Sequence, residues 1–174
     1  KLLKKLEIFI SNHLIKQIEA GAEAVQIFES HARIAAQKNK FREFCIEPNN
    51  NIIKNIKKKY PHIPIIGFPR NVDALYPDYV KNVNIDCLSV DQSINIKKLL
   101  DNLIINKSRN ICFQGNLDPE ILLHGGNNLI NSTKNILEKF SSVNHIFNLG
   151  HGVIKETPVK NIDLLIKTIR EWKK

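Results

Sequence analysis

The stretch Ile111-Cys112-Phe113-Gln114-Gly115-Asn116-Leu117-Asp118-Pro119 carries a strand and the start of a helix in immediate succession. Ile111 to Gly115 is a short run rich in apolar, β-branched and aromatic side chains, and it reads as a buried parallel strand. Asp118-Pro119 reads as a helix start. Asp118 suits the N-cap, and Pro119 suits the first helical position, where a missing N–H costs nothing. That account covers Asp118 and Pro119 fully. It does not cover Gln114, a polar amide inside an apolar strand. Gln114 and Asn116 are expected to project toward the mouth of a barrel.

Four more runs of the same kind flank this one: Ala24 to Phe28, Ile63 to Phe68, Ile85 to Val90 and His145 to Leu149. Helical patterns lie between them. Leu6 to Ala20 has apolar residues at helical spacing (Leu6, Phe9, Ile10, Leu14, Ile18), and Gly21 marks its stop. Phe41 to Tyr60 is helical with a break near Pro48. Val72 to Val80, Ile94 to Ile104 and Leu129 to Phe140 precede the third, fourth and fifth strands. Pro158 to Trp172 closes the chain, with Thr157 as N-cap and Pro158 at the first helical position. Strict alternation of helix and strand implies an α/β fold, a parallel sheet covered by helices, open or closed.

The strand ends carry the unusual residues. Glu29-Ser30-His31 follows the first strand, Pro69-Arg70 the second, Asp91 the third, Asn116-Leu117-Asp118-Pro119 the fourth and Gly150-His151-Gly152 the fifth. Ligands of α/β folds bind at the carboxyl ends of strands, so these residues fit one shared rim. The competing reading is that loops are polar everywhere. His151 between two glycines could bring its ring close to a ligand, binding a carboxylate or moving a proton. It could equally be an exposed residue of a tight turn. Ser30 beside His31 invites a nucleophile reading, but neighbours on a strand face opposite ways, and no G-x-S-x-G elbow is present. Ser30 fits better as a hydrogen-bond donor to a ligand.

Composition narrows the classes further. The 174 residues carry a formal charge of +9, with 43% hydrophobic and 25% charged residues. This is a globular profile. The basic residues are scattered, with only Lys57-Lys58-Lys59 as a run, so a bias toward Lys, Asn and Ile explains the charge better than nucleic-acid binding. No apolar run is long enough to span a bilayer, and no signal peptide is visible, so a cytoplasmic location is expected. Cys45, Cys87 and Cys112 are odd in number and far apart, which disfavours a disulfide framework or a CxxC metal site. The chain has no Met and begins at Lys1, which predicts a piece of a longer protein. No G-x-G-x-x-G, Walker A loop or H-E-x-x-H occurs, so nucleotide and metal binding are unsupported.

The same segments resemble those of uroporphyrinogen decarboxylases. Ala20-Gly21-Ala22-Glu23-Ala24-Val25-Gln26-Ile27-Phe28-Glu29-Ser30-His31-Ala32 is similar to the family's first conserved strand here, and Ile63 to Arg70 to its next. Gln114 to Pro119 resembles the signature QGNLDP, and His145 to Gly152, followed by Glu156-Thr157-Pro158, resembles the family's ending. The resemblance extends over essentially the whole of residues 1–174, taken as the C-terminal part of one barrel domain. It implies a (β/α)8 TIM barrel, here a partial barrel of about five βα units. It implies a homodimer in the full-length family, and decarboxylation of the four acetate side chains of uroporphyrinogen to give coproporphyrinogen without cofactor or metal. Ser30 takes the place of the family's substrate-binding Ser/Thr, and His151 that of the His that contacts a substrate carboxylate. The family's essential Asp lies in its N-terminal half, and no position of this chain corresponds to it. The chain is therefore expected to be inactive alone and to need an N-terminal half as partner. Arg33 stands where the family normally has Gly, and the stretch Ile34 to Lys40 matches poorly. Five strands without the rest would leave two open sheet edges, which promote pairing. The alternatives are a non-catalytic remnant that only associates with an N-terminal half, and a cobamide-linked methyltransferase of the same superfamily. The latter lacks its His-x-Cys ligands here.

Overall fold

A computed structural model describes residues 1–105 and 111–173. Its elements are α1 (Leu2–Glu19), β1 (Val25–Glu29), α2 (Ala32–Gln37), a π-helical turn (Arg42–Ile46), α3 (Glu47–Lys59), β2 (Ile65–Pro69), a 3₁₀ turn (Asp73–Leu75), α4 (Tyr76–Asn82), β3 (Cys87–Ser89), α5 (Ile96–Ile105), β4 (Cys112–Leu117), α6 (Pro119–His124), α7 (Gly126–Lys139), β5 (His145–Leu149) and α8 (Val159–Glu171). The strands follow the order β1-β2-β3-β4-β5, and the ladders β1–β2, β2–β3 and β4–β5 are parallel. The expected α/β class with five strands is present; a closed barrel is not formed by these strands. The chain divides into two compact units, Lys1–Leu88 with Asn102–Ile111, and Ser89–Asp101 with Cys112–Lys174.

In the first unit, α3 supplies the core stripe. Ile52, Ile53 and Ile56 are buried at helical spacing, together with Ile65 of β2 and the fully buried Tyr76 and Tyr79 of α4. The expected break near Pro48 is a π turn over Arg42–Ile46, after which Pro48 sits in the first turn of α3. There the absent proline N–H leaves no helical bond unmade. The helix expected over 72–80 divides for a related reason: a 3₁₀ turn ends at Leu75, and α4 begins with Pro77 in its first turn. Gly21, at φ +105°, stops α1 as expected, and its N–H donates to Ile18 O at 3.0 Å.

The packed face of α1 is only in part the expected one, with Leu14 buried and Ile18 half-buried. Leu6, Phe9 and Ile10 are exposed, while Ser11 and Leu14 are buried. Its contacts to α3 are partly polar. Asn51 donates to Glu7 Oε2 at 3.1 Å and Asn55 to Ser11 Oγ at 3.1 Å. Ser11 in turn donates to Glu7 O at 2.6 Å. An apolar-spacing rule cannot register such a seam.

In the second unit, β4 and β5 pair in register from Phe113↔His145 to Leu117↔Leu149. The Asp118-Pro119 reading holds. Asp118 accepts the N–H of Glu120 at 2.9 Å, and Pro119 opens α6. The reading of Thr157-Pro158 is shifted by one residue. Pro158 is extended (φ −65°, ψ 134°) and is itself the N-cap, and Val159 is the first helical residue. Thr157 Oγ1 is buried and makes no hydrogen bond, so it does not cap the helix. The three cysteines are unbridged, with Cys45 and Cys87 buried.

Two glycines test this packing. A Cβ on Gly67 would stand 2.8 Å from the ring and hydroxyl of Tyr79 and 2.9 Å from Ile85, whereas one on Gly152 would meet nothing within 4 Å. Gly67→Ala is expected to cost about 1–3 kcal/mol by overpacking, and Gly152→Ala to lie within about 0.5 kcal/mol of the parent. Urea unfolding measures both; a neutral Gly67→Ala would contradict the seating of Tyr79 beneath β2.

Candidate functional site at the strand ends

Parallel pairing gathers carboxyl ends. In the first unit Glu29, the last residue of β1, lies opposite Pro69, the last of β2. The chain then turns. Arg70 N–H donates to Glu29 O at 3.3 Å, which continues the ladder by one step past β2. Ser30 and His31 lie beyond β1, not within it: Ser30 is an exposed turn residue and His31 is the N-cap of α2. The opposite-faces argument about this pair therefore does not apply, and Ser30 is open to solvent at the strand end. Arg33 falls in the first turn of α2 and is exposed. The non-glycine residues at positive φ are Asn39, Asn71 and Asp73, so the backbone at 33 is one that any side chain adopts. The short helix α2 was not expected, because the stretch after Ala32 had no apolar period.

On β1, Val25, Ile27 and Glu29 share a face by strand alternation. Val25 and Ile27 are buried, and Phe28, on the other face, is 65% exposed. Phe28 meets Phe68 edge to face at 6.2 Å between centroids. Glu29 thus follows its strand's inward face into an apolar setting. Burial raises its carboxyl pKa to about 7. Its charge is felt by two neighbours. The Cys45 thiol is pushed up to about 12 by burial and then by Glu29. The Tyr79 hydroxyl is raised by the same two causes, opposed by the hydrogen bond from Asn49 Nδ2 at 2.8 Å. A half-buried carboxyl at a strand end was visible in the sequence only as one polar residue among several.

In the second unit the expected amides are buried and their NH2 groups are bonded, while Asn116 Oδ1 is buried without a partner. Gln114 Nε2 donates to Ser89 Oγ at 3.1 Å, and Asn116 Nδ2 donates to Asp91 O at 2.9 Å. Both side chains, 5% and 6% exposed, tie β4 sideways to the end of β3. Asp91, with no exposed surface, accepts from Ser93 N at 2.9 Å and from Ser93 Oγ. Gly150 N donates to Leu117 O at 2.7 Å and carries the β4–β5 ladder one residue past β5.

His151 follows, exposed, and its Nδ1 accepts the N–H of Gly152 at 2.5 Å. An accepting Nδ1 carries no proton, so the neutral ring holds its proton on Nε2, a donor open to solvent. The second histidine of this strand plays another part. His145 Nε2 lies 2.6 Å from Gly115 O, an acceptor only, so Nε2 carries the proton here too. The ring stacks on Phe140 at 4.2 Å between centroids. Burial lowers its pKa, opposed by the bond to Gly115. It is a neutral, structural histidine, and nothing in its apolar sequence context distinguished it beforehand.

Among the described residues no group of three or more His, Cys, Asp or Glu is placed to hold a metal ion. No helix among them is long and apolar enough to cross a membrane.

Parallel strands joined through helices, with polar side chains at their carboxyl ends, define the α/β class, in which ligands bind at those ends. The uroporphyrinogen decarboxylase family model matches residues 1–172, and the chain belongs to that family. Relatives named uroporphyrinogen decarboxylase include one from Orientia tsutsugamushi strain Boryong, 40% identical over 162 residues, covering 92% of this chain and 46% of the relative. One from Wolbachia pipientis wMel is 41% identical over 160 residues, covering 92% of this chain and 45% of its own length. One from Rickettsia bellii strain RML369-C is 41% identical over 175 residues, covering 98% and 50% respectively. The chain thus spans about half the length of the curated relatives it matches.

The raised Glu29 pKa has a signed consequence. The folded form holds its proton up to about pH 7, and the unfolded form loses it near 4.5. Glu29 therefore adds stability below pH 4.5 that is lost as pH rises through 7. Glu29→Gln is expected to unfold at higher temperature than the parent at pH 8.5, with the gap closing toward pH 4.5. Thermal unfolding across that range checks this; a gap independent of pH would contradict a half-buried, titrating Glu29.

Proposed function

We propose that this chain forms part of a uroporphyrinogen decarboxylase. The reaction removes the carboxyl group from each of the four acetate side chains of uroporphyrinogen III, giving coproporphyrinogen III in porphyrin and haem biosynthesis. The observation that carries the reading is His151 with its Nε2–H free at a strand end, in a chain of this family. A substrate with several carboxylates needs several donors. The His151 Nε2–H and the Ser30 hydroxyl are donors of the required kind, each exposed at its own strand end. Both act by holding carboxylates rather than by breaking bonds.

The chemistry divides accordingly. A pyrrole protonated on carbon accepts the electron pair of the bond between the acetate methylene and its carboxyl carbon. CO2 leaves, a proton is delivered to that methylene, and loss of the proton first added to the ring carbon restores the pyrrole with its new methyl group. A carboxylate facing the pyrrole nitrogens would stabilise the positive charge in a dry site. By the family resemblance that carboxylate lies outside the half that this chain matches. We therefore assign the chain the substrate-holding role, with catalysis depending on an N-terminal half, within a single barrel domain. That the assembled enzyme is a cytoplasmic homodimer needing no metal or organic cofactor belongs to the same proposal.

In an enzyme assembled from this chain and an N-terminal half, His151→Ala is expected to raise KM roughly 10- to 100-fold, the worth of a hydrogen bond to a charged group. Steady-state decarboxylation measures it; unchanged affinity and rate would remove His151 from the site. Elemental analysis of the purified chain should show no stoichiometric metal. Stoichiometric zinc would instead favour a cobamide-linked methyltransferase.

A further inference from the structure

We propose that Asp91 and Ser93, with Asn116, are positioning residues that set the turn bearing His151. The functional weight of this rests on the reading of His151 as the donor to a substrate carboxylate. The chain of contacts is short and lies wholly within the second unit. Gly150 is the residue on which the His151 turn starts. Its N–H is bound to Leu117 O at 2.7 Å, so one side is fixed by β4. Its other side rests on the Asp91–Gln92 backbone. A Cβ at Gly150 would stand 2.9 Å from Asp91 C and 2.8 Å from Gln92 Oε1, and closer still to Gln92 N. Glycine is required here by backbone approach.

That wall is shaped by side chains. Asp91 Oδ1 accepts the backbone N–H of Ser93 at 2.9 Å and the Ser93 hydroxyl as well, which closes the turn from 91 to 93. Asn116 Nδ2 grips Asp91 O at 2.9 Å from β4. The carboxyl of Asp91 is fully buried, so it takes no direct part in holding a ligand. Releasing it would let the 91–92 backbone relax, Gly150 would lose its support, and the His151 ring would lose the Gly152 bond that keeps its proton on Nε2. The same clasp gives Ser89, Asp91, Gln114 and the Asn116 NH2 group bonded partners in an otherwise apolar region, while Asn116 Oδ1 is left buried without one.

The test reads the chain itself. Amide hydrogen exchange and the His ring nitrogen signals are followed by NMR in the parent, Asp91→Ala, Asp91→Asn and Ser93→Ala. Ser93 is exposed, so its substitution removes one donor without disturbing packing. Asp91→Ala and Ser93→Ala are expected to speed exchange at Gly150 and Gly152, about tenfold for the loss of one hydrogen bond. They should also shift the His151 Nδ1 and Nε2 signals. The His145 ring and the amides of α7 should stay unchanged. Asp91→Asn keeps an acceptor oxygen and should restore most of the parental pattern. Changes confined to residues 91–93, or equal changes at His145 and His151, would overturn the proposal. Because no step requires turnover, it can fail while the decarboxylase reading stands. A His151→Ala enzyme with parental KM and rate would instead remove His151 from the site and leave the clasp intact.

Discussion

The constraint on which the rest depends is the direction of parallel strands. A parallel neighbour forms only when a crossover carries the chain back to the same end of the sheet. Within each parallel ladder the strands therefore finish on the same side, and whatever follows them is presented there. In the β1–β2 and β4–β5 ladders the register brings strand ends opposite one another, Glu29 against Pro69 and Leu117 against Leu149. Single further hydrogen bonds, at Arg70 and at Gly150, extend each ladder just past the sheet. The residues proposed to hold substrate, Ser30 and His151, are the ones that come next. They are fixed by a ladder behind them and face solvent ahead, which suits groups that hold a ligand.

Close backbone approach supplies the precision. Gly115, at φ +126°, has no room for a Cβ, which would stand 2.5 Å from Val90 O. Gly150 has none because the Asp91–Gln92 backbone occupies that space. Between these two glycines the amides of Gln114 and Asn116 reach sideways to Ser89 and Asp91. A buried polar net of this kind is stabilising only when its members are bonded. It leaves little freedom in where the turns after β3 and β5 stand. The signature Gln114-Gly115-Asn116-Leu117-Asp118-Pro119 is thus largely structural: two amides that lock β4 to the end of β3, a glycine for clearance and a capped helix start.

Much of this was legible from the sequence. β5 occupies the expected residues, His145–Leu149, and the other four strands lie within a residue or two of their apolar runs. Short buried strands bounded by turn residues leave little ambiguity. The helix start at Asp118-Pro119 and the stop at Gly21 followed from local chemistry alone, and both are as expected. The positions of Ser30 and His151 at strand ends followed once the strands were placed. The rest depended on contacts distant in sequence. The seam of α1 is chosen by Asn51 and Asn55 on another helix, and Thr157 loses its cap because Pro158 takes that place. Gln114 was expected to project toward the mouth of a barrel. It is instead spent on Ser89, 25 residues away. The elevated pKa of Glu29 comes from what surrounds it rather than from any motif.

The central claim is that this chain supplies the carboxylate-holding part of a decarboxylase and not its charge-stabilising group. The most direct measurement is the decarboxylation of uroporphyrinogen by the purified chain, first alone and then mixed with a separately expressed N-terminal half of a family member. The account predicts no product from the chain alone and coproporphyrinogen from the mixture. Product from the chain alone would contradict it, because the stabilising carboxylate would then have to lie among these 174 residues.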